Sequence, residues 1–142
     1  MNNSKLIAID FDGTIVEDKY PAIGKPLIFA FETMKKMQED GHRLVLWTYR
    51  KGERLDAAVE FCKKNGIEFY AVNKNFIEED YTPDVPRKLK ADIFIDDRNI
   101  GGFIGWGRIY QILNGEDIEK VQEKFQKKKG VIGKLFGKLK LT

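Results

Sequence analysis

Asp10 and Asp12 stand two residues apart in Asp10-Phe11-Asp12-Gly13-Thr14, directly after the apolar run Leu6-Ile7-Ala8-Ile9. A run that is apolar on both faces belongs inside a parallel sheet. The carboxyl ends of such strands are where open α/β sheets bind ligands. Strand alternation sends residues 10 and 12 to the same side, and two anions in one small volume repel unless a cation or a shared proton intervenes. Gly13 permits a sharp turn, and Thr14 adds a hydroxyl and a backbone N–H. This chemistry suits a magnesium-dependent phosphoryl site. Asp and Gly are also ordinary turn and cap formers, so the motif needs support from the rest of the chain.

That support comes from the order of elements. Residues 5 to 11 read as a first strand and residues 15 to 24, rich in turn formers, as an irregular flap. Leu27, Ala30, Phe31, Met34 and Met37 recur at helical spacing up to Gly41. Residues 42 to 48 form a second strand. Leu55, Ala58, Val59 and Cys62 mark a second helix stopped by Asn65-Gly66. Residues 67 to 72 read as a third strand, 73 to 87 as a long loop, and 91 to 95 as a fourth strand. Such alternation predicts an α/β fold, a single-domain doubly wound parallel sheet with helices on both faces. Its strands end at Asp10 and Asp12, at Thr48, at Asn73-Lys74 and at Asp96-Asp97, which puts polar residues all along one sheet edge.

The chain has 142 residues, 42% hydrophobic and 33% charged, as in an ordinary globular protein long enough for a real core. No apolar run approaches the roughly 20 residues needed to span a bilayer. The start at Met1 leaves no room for a signal peptide before the first strand, and the lone Cys62 fits a reducing cytoplasm, so a cytoplasmic location is expected. Cys62 falls on an apolar helical stripe and reads as a small hydrophobe. The net charge of +3 hides an asymmetry. From Lys120 onward there are eight lysines against Glu123, while the first 119 residues hold 17 basic and 21 acidic side chains.

These motifs resemble the haloacid dehalogenase superfamily, in particular its small capless phosphatase-like members. D-x-D-G-T stands at Asp10 to Thr14, the Thr ending a hydrophobic strand at Thr48, and the acidic pair after another apolar strand at Asp96-Asp97. The lysine motif is assigned to Lys88 in Lys88-Leu89-Lys90-Ala91-Asp92, with Lys90, Lys74 and Arg87 as competitors. The match covers residues 5 to about 100. It implies a Rossmann-like core and hydrolysis of a phosphate monoester. Asp10 would be the nucleophile that becomes an aspartyl-phosphate, and Asp12 the acid and base. Mg²⁺ would be held by Asp10, the Asp12 carbonyl and Asp96, with Asp97 as a further ligand or an orienter of the lysine. Thr48, Gly13 and Lys88 would hold the phosphate. Arg50 could grip a second anionic group of the substrate, or equally be a solvated cap cation. Only 38 residues run from Asp10 to Thr48 and 40 from Thr48 to Lys88, too few for a cap domain. Substrate selection would then fall to residues 16 to 25, 49 to 51 and 74 to 81.

Other readings compete. A phosphotransferase would replace water by a hydroxyl acceptor, and a non-catalytic phosphate-binding module would not need Asp12. A receiver-type signalling module places its acids in a different order. The partner expected from the site is a phosphorylated substrate of undefined size. Residues 1 to 114 form the expected catalytic core and 115 to 142 a basic amphipathic extension. The extension carries Val131, Ile132, Leu135, Phe136 and Leu139 between lysines. It suits docking on this domain or on a second subunit as a homodimer contact. Membrane-surface contact is the less favoured reading, and no nucleic-acid motif is present. Residues 101 to 107, rich in Gly, match no nucleotide-binding loop. They read as a turn-rich connection with Trp106 packed on the sheet edge. His42 lacks a second His and reads as a surface residue.

Overall fold

The structure is a computed structural model, and it describes residues 4–115. The expected basic extension therefore lies outside the described residues, apart from Gly115. The chain divides into two compact units, Met1–Phe103 and Ile104–Thr142, a division earlier than the 114/115 boundary read from the sequence.

The first unit is an α/β fold. Strands β1 (Leu6–Ile9), β2 (Arg43–Leu46), β3 (Ala71–Val72) and β4 (Ile93–Ile95) form an all-parallel sheet in the order β3-β2-β1-β4. Helix α1 (Ala30–Glu39) joins β1 to β2, and α2 (Gly52–Lys64) joins β2 to β3. All four residues of β1 are buried, as expected of a strand paired on both sides and covered on both faces. Two of these steps move outward from β1 in one direction, and β4 then returns to its other side. The chain therefore reverses direction across the β1–β4 boundary, the kind of place where open α/β sheets hold their ligands. No cap domain interrupts the described residues.

The two faces of the sheet are covered differently. Leu6, Ala8, Val45 and Ala71 pack with Leu89, and Trp47 and Ala91 close over them. Leu89 comes from the β3–β4 connection, which contains no helix. By alternation Ile7, Ile9, Leu44 and Leu46 face the opposite side and are fully buried. There α1 lies against β2 and supplies Ala30, Phe31, Met34 and Met37. Phe61 of α2 meets Phe31 and Phe11 at ring separations of 6.0 and 6.3 Å. Within this unit the expectation of helices on both faces is thus corrected: an apolar anchor in a loop does for one face what two helices do for the other.

Two further local differences have clear causes. The 15–24 flap is not irregular throughout. Glu17 N–H donates to the Lys25 carbonyl and Leu27 N–H to the Ile15 carbonyl, both at 2.8 Å, so its stem is a short antiparallel pair. In the second unit, helix α3 (Trp106–Leu113) begins where only a turn-rich connection was expected. Gly105, at φ 94°, turns the chain into that helix, and Trp106 is its first residue. No described helix is long and apolar enough to cross a membrane.

Candidate functional site

Four strand ends deliver the site at one level. Asp10 N–H donates to the Ile95 carbonyl at 3.0 Å, Trp47 N–H to Ile9 at 2.8 Å, and Asn73 N–H to Leu46 at 2.7 Å. Pairing therefore continues one residue past β1, β2 and β3, and Asp10, Thr48 and Asn73 emerge beside Asp96 at the end of β4. After β1 the chain folds back at once: Thr14, Ile15 and Val16 all donate to the Phe11 carbonyl. This turn is what buries Thr14, Ile15 and Val16 completely.

Asp10, Asp96 and Asp97 each present one carboxylate oxygen, and these oxygens lie within 4.8 Å of one another. The Thr14 hydroxyl stands 3.2 Å from Asp10 Oδ2 and 3.4 Å from Asp97 Oδ1. Gly13 is required twice over. Its φ of 84° favours glycine, and a Cβ there would fall on the Asp97 carboxylate. Burial pushes the Asp10 carboxyl up to about 8, helped by its hydrogen bond with Asp97 and by the charge of Asp96. Three crowded acids keep a proton when nothing else balances them. An all-oxygen set of this kind fits a hard divalent cation such as magnesium.

Asp12 is held apart from this trio. Its two carboxylate oxygens accept from Arg50 Nε and Nη2 at 2.8 and 2.7 Å, a bidentate pair. Arg50 is only 2% exposed. Its remaining N–H groups reach the carbonyls of Pro21 at 3.2 Å, Ala22 at 2.9 Å and Arg54 at 3.4 Å. The guanidinium also lies 5.1 Å from the Phe11 ring and 5.2 Å from the Tyr20 ring. Its hydrogen bonds to Asp12 push its already high pKa further up. Both readings of Arg50 from sequence are corrected here. A guanidinium has five N–H donors and all five meet protein acceptors, so none remains for a substrate anion. Nor is the side chain solvated.

Thr48 is held by two hydrogen bonds at the end of β2. Its N–H donates to Asn73 Oδ1 at 2.8 Å, and its hydroxyl oxygen accepts from Arg50 N–H at 3.1 Å. That leaves the hydroxyl proton to donate. Asn73 sits at φ 54°, a left-handed conformation that Asn tolerates better than most residues. Sequence reading noted it as a polar strand end without giving it this role.

A cavity of about 730 Å³ opens over these groups, lined by Asp10, Asp12, Asp96 and Thr48 with Asp18, Tyr20, Trp47, Tyr49 and Arg98. A second, of about 720 Å³, shares Trp47 and Thr48 and runs towards Asn73, Tyr81 and Arg87. Lys88 lines neither of these two cavities. Leu89 is buried against the sheet, so the side chains flanking it are turned outward, and the Lys88 ammonium sits 5.7 Å from the Phe94 ring. Among the described residues, Arg98 is the one cation lining the first cavity. Sequence reading missed it, although its place directly after Asp96-Asp97 was the available signal. Its backbone N–H donates to Asp96 Oδ1 at 2.8 Å, which helps to orient that carboxylate.

No model of a known family matches the chain, and no curated protein matches it. Among solved structures, it is similar to one described as the structure of a conserved protein from Bacteroides thetaiotaomicron. Sequence identity is 53% and the TM-score 0.77, and the match covers 81% of this chain and 93% of that one. At this identity and coverage, the chain belongs to the same family as that conserved Bacteroides protein.

Proposed function

We propose that the protein is a magnesium-dependent phosphatase of the haloacid dehalogenase type, acting on phosphate monoesters through an aspartyl-phosphate. The observation that carries this reading is the meeting of Asp10, Asp96 and Asp97, the first two lining a cavity that Thr48 and Asp12 also line. A binding module for phosphate has no use for three crowded carboxylates, which repel the ligand. A nucleophile with a bound cation does.

Asp10, Asp96 and Asp97 would hold the magnesium ion, which when bound neutralises charge on both the nucleophile and the phosphate. The Asp10 carboxylate attacks phosphorus, so a new P–O bond forms as the bond to the leaving oxygen breaks. Asp12 delivers a proton to that oxygen and later removes one from the water that hydrolyses the phospho-Asp10. Thr48 donates its hydroxyl to a phosphate oxygen. Arg98 takes the charge-offsetting role that sequence gave to Lys88. With no cap among the described residues, water reaches the intermediate freely, which favours hydrolysis over transfer to another acceptor.

The test is phosphate release from p-nitrophenyl phosphate, sugar phosphates and nucleotides, with Mg²⁺ or with EDTA. Release should require Mg²⁺ and vanish in Asp10→Asn. Metal-dependent release that survives Asp10→Asn overturns the nucleophile, and no release from any member of the panel overturns the phosphatase.

A further inference from the structure

Arg50 makes more contacts than a salt bridge needs. Its fork closes on both oxygens of Asp12, and its other donors close on the carbonyls of Pro21 and Ala22 in the flap and of Arg54 in α2. Tyr20, from the same flap, lies against the guanidinium, and its hydroxyl accepts from Arg54 Nη1 at 2.9 Å. Arg54 itself stands 5.4 Å from the Tyr20 ring. Two stretches of chain therefore converge on one buried cation: the turn after β1 with the flap that follows it, and the start of α2.

We propose that Arg50 is a positioning residue that makes Asp12 and the 15–24 flap a single unit. This rests on the phosphatase reading, in which Asp12 transfers the protons. The argument is geometric. A lone Asp side chain at the rim of an open cavity rotates among several rotamers, and proton transfer demands one placement within hydrogen-bond reach of the reacting oxygen. A planar fork fixes both oxygens of a carboxylate at once. Each oxygen keeps a second lone pair for a substrate or water. Arg50 in turn is fixed because the flap carbonyls occupy the donors on its far side. Lifting the flap removes those acceptors and frees the acid. The device thus ties proton transfer to the position of the segment that, with Asp18 and Tyr20, walls the cavity.

Arg50→Lys keeps the charge and loses the fork, and Arg50→Ala loses both. Each is assayed with Mg²⁺ on p-nitrophenyl phosphate, whose leaving group departs readily, and on glycerol 2-phosphate, whose leaving oxygen needs a proton. The expected loss in kcat on glycerol 2-phosphate is roughly 10²-fold, the scale of a misplaced acid–base group. On p-nitrophenyl phosphate it should be several-fold smaller, with KM little changed on both. Added guanidinium should restore part of the Arg50→Ala activity. In an Asp12→Asn background the Arg50 substitutions should cost almost nothing more. A separate arm needs no turnover. Trypsin should cut after exposed Lys19 faster in Arg50→Lys, Arg50→Ala and Asp12→Asn than in the parent, with circular dichroism showing that each is folded. Equal losses on the two substrates, no rescue by guanidinium and unchanged cutting at Lys19 would overturn the proposal. If the parent releases no phosphate, the phosphatase reading fails by itself, and cutting at Lys19 still decides whether Arg50 ties Asp12 to the flap.

Discussion

Asp10 and Asp12 are the same residue type, two positions apart, and the fold treats them in opposite ways. Asp12 is matched by a full counter-charge: both oxygens are taken by Arg50, and the guanidinium is itself saturated. Asp10 is placed among two more carboxylates and a threonine hydroxyl, and burial with these neighbours pushes it up to about 8. One acid is finished by the protein alone, and the other is left needing something from outside. That difference separates a group that must be held in place from a group that must gather a cation and react.

Replacing Asp10 tests the needy side of this comparison and has the largest expected effect. Asp10→Asn should lower phosphate release roughly 10³-fold or more, as loss of a nucleophile does. The same change removes a group that must take up a proton to fold at neutral pH, so the metal-free protein should melt at a higher temperature than the parent. Activity and stability would move in opposite directions, as they do where a site is built at the expense of the fold. A lower melting temperature in EDTA would mean that Asp10 is not the strained member of the trio.

The satisfied side breaks differently. Arg50→Met leaves Asp12 without its partner, and removing one member of a buried pair costs about 3–5 kcal/mol. Asp12 keeps some access to solvent, with its side chain 16% exposed, so the lower end of that range is expected in urea unfolding. The double change Asp12→Leu with Arg50→Met should recover much of the loss, because no charge is left unpaired. If the single change were neutral, the bidentate pair would be ornamental and the contrast with Asp10 would disappear.

A third prediction uses pH. In the folded protein Asp10 keeps its proton up to about 8, whereas its ordinary value is 3.8. Between those values the folded state carries the extra proton, so this group's contribution to stability falls as pH rises. Thermal melts in EDTA should therefore show a melting temperature declining from pH 5 to pH 8. Asp10→Asn should flatten that slope, and saturating Mg²⁺ should reverse it, since the ionised trio then has a partner. A melting temperature that rises with pH in EDTA, equally in parent and Asp10→Asn, would remove the crowding argument.

What could be read in the sequence follows from how local each signal is. The Leu6–Ile9 run and the D-x-D-G-T turn lie in nine adjacent residues, and the periodicity of α1 and α2 is visible within each helix. The sheet edge that carries the site was therefore legible. The third strand shrinks to Ala71–Val72 because Ile67, apolar enough to suggest a strand, instead closes the end of α2 through its N–H to the Cys62 carbonyl. Helix α3 was hidden by the glycines of 101 to 107, which signal a turn and say nothing of the Trp106 helix that follows. The Arg50–Asp12 pair spans 38 residues. Sequence shows a cation just past Thr48 but not which way the chain between them turns it.

The smallest predicted effect separates Arg98 from Lys88. A lysine shortly before the fourth strand was the sequence's choice for the phosphate, but Leu89 is drawn into the sheet face and the Lys88 ammonium lies near the Phe94 ring. An exposed cation over an aromatic ring is worth roughly 0.5–1 kcal/mol, so Lys88→Ala should cost a little stability and change phosphate release by less than about threefold, as surface substitutions generally do. Arg98 lines the cavity that holds Asp10 and Thr48. A donor aimed at developing charge contributes up to roughly 10²–10³ in rate, and water at the open rim screens some of that, so Arg98→Ala should cost on the order of tenfold. The two substitutions differ by 10 positions in one connected stretch, on either side of β4. If Lys88→Ala proved the more damaging, the lysine would have to leave the Phe94 ring when phosphate binds, and the loop anchored by Leu89 would be the part of the molecule that moves.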